Sequence, residues 1–321
     1  MDADVQVIIA ARYTTSGQLD TTFGERGVVT TRVDKAAVTQ AFAAALDGQD
    51  RLLVAGYSGG RKVRSPHGSF DDWSVNSVLL RYTPGGVLDA SFGDRGVASQ
   101  AIDPGGKDRR SGRDFLVYDY KHTKAAGLVL DRQGRAVVAA SNGEGPALLM
   151  RYSQDGRLDP TFGSAGIVRT SVGAGFSIST LLGDSEERLV AAGTNNDRMV
   201  LVRYSADGAP DSAFGVGGMS STSMSLGMRV SAALQEREGH LLVVASGEDG
   251  VHLARFDRDG MPDKSFGSEG VIRNASVTGL TTAAGLAVDT AGIPIVAALT
   301  LSGGRLLLTR YDRVGPVELR K

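Results

Sequence analysis

One motif recurs along the chain and restricts the folds that it can adopt. Its clearest copy is RYSQDGRLDPTFGSAG at residues 151–166. Related copies begin at Arg12, Arg81, Arg203 and Arg255, and a shortened copy, RYDRVGPVELRK, begins at Arg310. The spacings between these arginines are 69, 70, 52, 52 and 55 residues. A period of about 50 residues with β-type composition is typical of a propeller or a similar array.

The residues within the motif predict a strand that ends in a tight turn. The glycine of each Asp-Gly-type pair provides the positive φ that such a turn needs. The later aspartate can cap a short helical turn, and we expect the motif arginine to pair with a turn carboxylate or carbonyl. The phenylalanine that follows is expected to pack between neighbouring units. These phenylalanines are Phe23, Phe92, Phe162, Phe214 and Phe266.

Carboxylates recur in every copy of the motif, and carboxylates are the usual ligands of calcium, so we considered whether the motif binds this ion. The segment DRDGMPD at residues 257–263 is loosely similar to a calcium-binding loop. It lacks the full ligand set and the closing bidentate glutamate of such loops. Turn and cap chemistry is therefore the favoured interpretation, and we predict neither a metal site nor a cofactor.

Between one Arg-Tyr pair and the next, the sequence predicts four short strands separated by turn residues. The strand richest in alanine and glycine, such as AFAAALD, is expected to be innermost, because only small side chains fit where strands converge on an axis. We name the strands of each unit A to D from this innermost strand outward, so that strand C ends in the Arg-Tyr pair. The prediction is an all-β propeller of four-stranded blades.

The strand count favours five blades, with six as the alternative, in a single domain over residues 1–321. The blades cover roughly residues 39–101, 124–171, 176–224, 228–275 and 281–321. The last blade lacks strand D, which we expect residues 27–33 to supply, so that the N- and C-terminal strands pair and remove the sheet edge. The strand at residues 5–12 is then left over, and it covers an edge, belongs to a partial sixth blade or indicates a longer array.

The pattern DGxLDxxFGxxG, preceded by LxRY and followed by a VxAG-type strand, resembles the repeat of the delta-60 β-propeller family of bacterial proteins. The resemblance covers nearly the whole chain. It departs at Pro210 and Pro262, which stand in place of leucine, and at Gly315-Pro316 in the shortened last copy. The resemblance implies a secreted or surface-associated propeller, and it supplies no set of catalytic residues.

Composition argues against several classes of partner. The chain of 321 residues has a formal net charge of −1, so it lacks the basic excess that holds a nucleic-acid backbone. Its apolar runs are shorter than the roughly 18 residues of a membrane-spanning helix, so membrane insertion is not expected. The acidic start MDADVQVIIAARY is unlike a signal peptide. The absence of cysteine excludes disulfides, cysteine-based zinc sites and thiol catalysis.

Two units are longer than the others by about 17 residues, and their extra segments predict the functional face. Residues 58–76 lie between strands B and C, and residues 101–123 lie between strand D and the next strand A. Both kinds of loop lie on the same face of a propeller, where repeat proteins tend to carry function. The candidate ligand-binding residues are Trp73, Asp71, Asp72, His67, Arg109, Arg110, Arg113, Tyr118, Tyr120 and His122. The shorter loops of this face add Asn195, Asn196, Asp197, Glu248 and Asp249.

The sequence leaves three functions open. Mixed charges and aromatic residues on this face favour a non-enzymatic module that binds a carbohydrate or a protein. The first alternative is a glycan-acting hydrolase or lyase that uses carboxylates such as Asp71, Asp72, Asp114 and Asp119. The second alternative is a structural scaffold module of a larger bacterial surface protein. Two solvated loops that bind nothing explain the same insertions, and no catalytic motif is present.

Overall fold

The computed structural model describes residues 7–33, 38–65, 68–101, 123–142, 146–173, 176–274, 281–300, 304–312 and 316–317. Over these residues the chain is all-β, with no helix. Accordingly, the described part holds no helix that is long and apolar enough to cross a membrane. The residues form two compact units, one of Met1–Gly143 with Leu148–Ile167 and one of Glu144–Ala147 with Val168–Lys321.

The strands form one two-stranded sheet and five four-stranded antiparallel sheets. The two-stranded sheet pairs β1 (Ile8–Ala11) with β2 (Val28–Thr31). The first four-stranded sheet contains β3 (Val38–Leu46), β4 (Leu52–Ser65), β5 (Gly68–Tyr82) and β6 (Val97–Ala101). The second contains β7 (Thr123–Leu130), β8 (Ala136–Asn142), β9 (Ala147–Tyr152) and β10 (Ile167–Thr170).

The remaining sheets repeat this order. The third contains β11 (Phe176–Gly183), β12 (Leu189–Asn195), β13 (Arg198–Tyr204) and β14 (Met219–Ser223). The fourth contains β15 (Arg229–Gln235), β16 (Leu241–Gly247), β17 (Gly250–Phe256) and β18 (Val271–Asn274). The fifth contains β19 (Thr281–Val288), β20 (Pro294–Thr300), β21 (Leu306–Tyr311) and β22 (Pro316–Val317). Consecutive antiparallel strands in every sheet are the pattern of propeller blades.

The core of each unit lies between consecutive sheets. In the first unit, Leu79 and Phe92 of one sheet pack with Val138, Met150 and Tyr152 of the next. In the second unit, strand β16 is buried along its whole length, because apolar layers cover both of its faces. A strand buried on both faces needs a nearly continuous apolar sequence, and LLVVASG meets that requirement.

The ends of the chain differ from the sequence-based expectation. Residues 27–33 do not complete the last sheet, since β2 pairs with Ile8–Ala11 and the strand beside β21 is Pro316–Val317. The reason is local, because the Arg12 amide donates to the Gly27 carbonyl just as the Arg81 amide donates to Gly96. A short connection closes at a lower entropic cost than a pairing of distant ends. The described strands form no closed sheet.

Candidate functional site

The motif arginine joins several neighbours at once, as Arg81 shows. Its Nε donates to the Asp89 carboxylate at 2.9 Å, and its Nη2 donates to the Ser91 hydroxyl at 3.1 Å. Its Nη1 donates to the main-chain carbonyl of Gln154, which lies in the next copy of the motif. The guanidinium carbon also lies 4.5 Å from the centroid of the Phe92 ring. The side chain therefore links its own turn to the following one.

This arrangement recurs in the other full copies. Each motif arginine donates from Nε to its own aspartate and stacks on its own phenylalanine. The pairs are Arg12–Asp20, Arg151–Asp159, Arg203–Asp211 and Arg255–Asp263. The expectation that these arginines pair with a turn carboxylate or carbonyl is confirmed, since every one of them pairs with a turn carboxylate. We call the arrangement the blade joint, and its residues are occupied by structural contacts.

Glycine completes the blade joint where two copies touch. The Gly24 amide donates to the Gly85 carbonyl at 2.8 Å, which brings the two main chains together. Gly86 has a φ of +81°, and a Cβ at this position would lie 2.7 Å from the Gly24 nitrogen and 3.0 Å from the Phe23 ring. The positive φ predicted for this glycine is confirmed. The close approach of Gly24 and Phe23 is a second reason why only glycine fits at position 86.

A second carboxylate and a second cation extend the joint toward the A–B turn. In the β7–β10 sheet, Arg135 contacts Asp131 at 2.6 Å and Asp159 at 3.2 Å. Burial alone would raise the pKa of Asp159, but the hydrogen bonds from Thr161 and the charges of Arg151 and Arg135 outweigh it and lower that pKa. Asp159 is therefore held as a carboxylate and is unsuited to act as a general acid.

The calcium-like segment at residues 257–263 is used as a turn. The Asp257 carboxylate accepts the main-chain amides of Asp259 and Met261 at 2.9 and 2.8 Å. Asp263 accepts from the Arg255 Nε at 2.7 Å and from the Ser265 amide at 2.9 Å. In the part of the chain that the structure describes, no three His, Asp or Glu residues are placed to hold a metal ion.

The inserted segment at residues 58–76 forms an extension of one hairpin. Strands β4 and β5 have 14 and 15 residues, whereas β12, β13, β16 and β17 have 7 each. In this extension Lys62 is the register partner of Asp71, and Arg61 is the partner of Asp72. Trp73 falls within the irregularity between the pairs Gly59–Val75 and Arg61–Asp72. The backbone therefore places Asp71, Asp72 and Trp73 on one projecting strand.

The other candidate residues lie outside the described residues. These are His67, Arg109, Arg110, Arg113, Tyr118, Tyr120 and His122, with Asp114 and Asp119 of the enzymatic alternative. The side chains of Asp71, Asp72 and Trp73 also lie outside the described part. The proximity of the two inserted segments, and a shared ligand site on them, remain predictions.

The shorter hairpins are tight turns whose polar residues serve the fold. Asn195 is the register partner of Arg198, so two residues make the turn between β12 and β13. The Asn195 side-chain amide donates to the Val172 carbonyl, and Asn196 has a φ of +53°. Glu248 and Asp249 likewise make a two-residue turn. Among the described residues, the β4–β5 hairpin is therefore the longest.

An aromatic pair at the base of that extension was missed by the sequence analysis. The rings of Phe42 and Tyr57 stack with centroids 5.5 Å apart and an interplanar angle of 23°. Phe42 sits at a β-bulge between Ala41 and Ala43, and 40% of its surface is exposed. Burial raises the pKa of Tyr57. The one aromatic side chain in the alanine-rich segment AFAAAL was the signal that could have revealed this pair.

The comparison with protein families supports the propeller class. A family model described as a β-propeller domain of unknown function, DUF5122, matches residues 67–92 and 188–214. Both matched segments contain a strand C and the motif turn that follows it. The chain is thus similar to a β-propeller repeat family in two of its sequence repeats. No curated protein matches the chain.

The solved structures that are similar to the chain are distant. A protein from Lactobacillus plantarum is 13% identical, with a TM-score of 0.48 over 96% of this chain and 92% of that one. A GH43 β-1,3-galactosidase solved with galactodeoxynojirimycin is 10% identical, with a TM-score of 0.36 over 96% of each chain. Neither similarity bears on the function of this chain.

Proposed function

We propose that this chain is a five-bladed, delta-60-type β-propeller that acts as a non-enzymatic binding module for a carbohydrate or a protein. The observation that carries the proposal is the β4–β5 hairpin, whose strands are about twice as long as those of the other middle hairpins. Loops and hairpins that project from a rigid repeat scaffold are the usual carriers of recognition. The inserted segments at residues 58–76 and 101–123 form the binding face of this proposal.

The base of the extension supports recognition of an apolar ring face. Phe42 is half-exposed and is held in place by the buried Tyr57 beneath it. A rigid aromatic platform loses little conformational entropy on binding and offers a large contact area. A sugar ring has an apolar face of matching size, and Trp73 with the nearby charged residues would supply further contacts.

The blade joints support the scaffold alternative in part. The motif arginines, aspartates and phenylalanines make contacts within and between the motif turns. The recurring residues therefore stabilise the repeat array. The described motif aspartates have lowered pKa values, for which hydrogen bonds and arginine charges outweigh burial, as at Asp159, Asp211 and Asp263. A glycan hydrolase needs one carboxylic acid with a raised pKa, and these residues do not offer one.

The decisive experiment is a glycan and protein array followed by thermal-shift titration of the chain and three variants. Phe42→Ala and Trp73→Ala remove aromatic surface from the binding face, and Val87→Ala is the matched control. Val87 is an exposed apolar residue in the C–D turn, at the other end of the same sheet. A ligand at 100 times its Kd should stabilise the fold by about 2.7 kcal/mol.

We expect the thermal shift to persist in Val87→Ala and to fall in both aromatic variants. A ligand whose shift is equal in all four proteins would place binding elsewhere and overturn the proposed face. A complete absence of ligands on both arrays would favour the scaffold function instead.

A further inference from the structure

One buried histidine stands where earlier repeats have aliphatic residues. His252 lies in β17, three positions before the motif arginine, and only 2% of its surface is exposed. Its counterparts in three earlier repeats, all of them buried, are Val78, Leu148 and Val200. The fourth sheet thus holds an imidazole ring at a position that these repeats keep apolar.

The imidazole lies on the side of the fourth sheet that packs against the third sheet, within the second compact unit. Alternate residues of a strand share a face, so His252 is on the same side of β17 as Ala254 and Phe256. Both of these residues belong to the apolar layer that contains Met199 and Leu201 of β13. Ala245, the register partner of His252 on β16, belongs to the same layer. The ring is therefore enclosed between two sheets.

The ring is poorly placed to carry a charge. The Nδ1 atom of His252 is buried and has no hydrogen-bond partner among the described residues. A neutral imidazole has one N–H donor, whereas a protonated one has two. A charged or unpaired donor in an apolar layer is costly unless a partner is present. The packed arrangement of the two sheets therefore favours the neutral ring.

The groups around the ring add little that would stabilise a positive charge. Arg273 of β18 is the register partner of His252, so a cation already lies on the same side of the sheet. Asp249, in the turn between β16 and β17, is exposed. Burial and the charge of Arg273 outweigh the charge of Asp249 and lower the pKa of His252.

The third sheet offers no charge near the ring either. The residues of β12, β13 and β14 on its facing side, at this end of the strands, are Ala192, Thr194, Met199, Leu201, Ser220 and Thr222. Asp197 lies in the exposed turn between β12 and β13. At the other end of β13, Arg203 pairs with Asp211.

We propose that His252 makes the packing of the third sheet against the fourth sheet sensitive to acid, so that acidification opens this interface. In the opened arrangement water reaches the ring, which then binds a proton near its ordinary pKa of about 6.5. The packed arrangement is fully favoured above that pH and loses stability as the pH falls below it. The opening equilibrium rises by up to about tenfold for each pH unit, until the pH reaches the pKa of the packed ring.

The test compares amide hydrogen exchange in β13 and β17 at pH 7.5 and pH 5.5, corrected for the intrinsic exchange rates. His252→Val restores the residue of two earlier repeats, and His252→Gln keeps a polar side chain that does not titrate. His240→Gln is the matched control. His240 is the other histidine among the described residues, and it is partly exposed beside Asp263. Thermal melts at pH 7.5 check that every variant is folded.

We expect protection of β13 and β17 in the unaltered chain to fall by up to about tenfold more than in either His252 variant. The comparison with these variants cancels the contributions of other titrating groups such as Glu236. The additional fall should persist in His240→Gln. Equal protection of the unaltered chain at the two pH values overturns the proposal. A fall of full size in either His252 variant also overturns it, because another group is then responsible.

The ring itself gives an independent measurement. The His252 ring-proton signal in NMR spectra is assigned by its absence from His252→Gln. In the folded protein this signal should keep the chemical shift of a neutral ring as the pH falls from 7.5 to 5.5. A folded-state signal that titrates with an ordinary midpoint of about 6.5 would show that the ring binds a proton without opening of the interface, and it would overturn the proposal.

Discussion

The Nη1 atom of Arg135 donates a hydrogen bond to the Oδ2 atom of Asp159 at 3.2 Å, across 24 residues of sequence. Asp131 holds the same arginine from the A–B turn. In the β15–β18 sheet these two positions are occupied by His240 and Glu236. The His240 Nε2 atom lies 3.9 Å from the Asp263 carboxylate, which is too long for a hydrogen bond.

Restoring the arginine should therefore strengthen the β15–β18 sheet. We predict that His240→Arg raises stability by about 0.5–1 kcal/mol, the range of a partly exposed ion pair. This corresponds to an increase of about 1–3 °C in Tm, measured by scanning calorimetry at pH 7. Arg135→His is the reciprocal control and should lower Tm by a similar amount. A decrease in Tm for His240→Arg would show that the β15–β18 sheet does not accommodate this network.

Glu236 should make the folded state less stable as pH rises. Its Oε2 atom is buried without a hydrogen-bond partner among the described residues, and burial raises its pKa despite the charges of Arg255 and His240. A raised pKa means that the folded state prefers the protonated acid, so ionisation lowers stability as pH rises above the ordinary glutamate range. Glu236→Gln should therefore be stabilising at pH 7 and nearly neutral at pH 4, by urea unfolding at both pH values. An equal effect at the two pH values would contradict this assignment.

Asp159 gives a pH dependence of the opposite sign. Its lowered pKa means that its contribution is complete above the ordinary aspartate range and is lost as pH falls through the folded-state pKa. Asp159→Asn deprives the buried Arg151 of its carboxylate, so we predict a loss of about 3 kcal/mol at pH 7. The loss should shrink as pH falls through the folded-state pKa of Asp159, which lies below the ordinary aspartate range, because the unaltered carboxylate is then also protonated. Asp155→Asn is the control, because the Asp155 side chain is half-exposed and contacts only Ser153 and Arg157 of its own turn.

The two glycines with nearly equal φ separate backbone strain from contact. Gly17→Ala places a Cβ in open space at a φ of +80°, and it should cost about 1 kcal/mol from strain alone. Gly86→Ala adds the clash with Gly24 at nearly the same φ, and it should cost about 3 kcal/mol. Chemical unfolding of the two variants measures the difference. Equal losses of stability in the two variants would show that the main chain around Gly24 shifts to accommodate the added Cβ at little cost.

The sequence predicted the all-β class and the motif chemistry because both depend on local patterns. Positive φ at Gly86 and pairing of Arg81 with a turn carboxylate follow from residue types a few positions apart. The second aspartate contact, from Arg135 to Asp159, joins residues in separate turns that no local pattern connects. The same limit explains why the stack of the half-exposed Phe42 on the buried Tyr57 was missed, since the two residues lie on neighbouring strands.

The pairing of the chain ends was predicted wrongly for a related reason. The sequence analysis assigned residues 27–33 to the last sheet because that sheet otherwise lacked a fourth strand. It gave no weight to the complete connection between β1 and β2, in which Arg12 and Asp20 form the same ion pair as in later copies. The side chains of the inserted segments follow no repeat, so no internal template exists for their placement.

The blade joint has a consequence for how such a chain can change over evolution. The motifs of Arg12, Arg81 and Arg203 each donate forward, from the arginine and from the glycine amide after the phenylalanine, to main-chain carbonyls in the turn of the next motif. A duplication or deletion of one whole repeat therefore creates a junction with the same donors and acceptors as the one it replaces. Gene-level gain or loss of entire repeats should be tolerated far better than a deletion of equal length that starts mid-repeat.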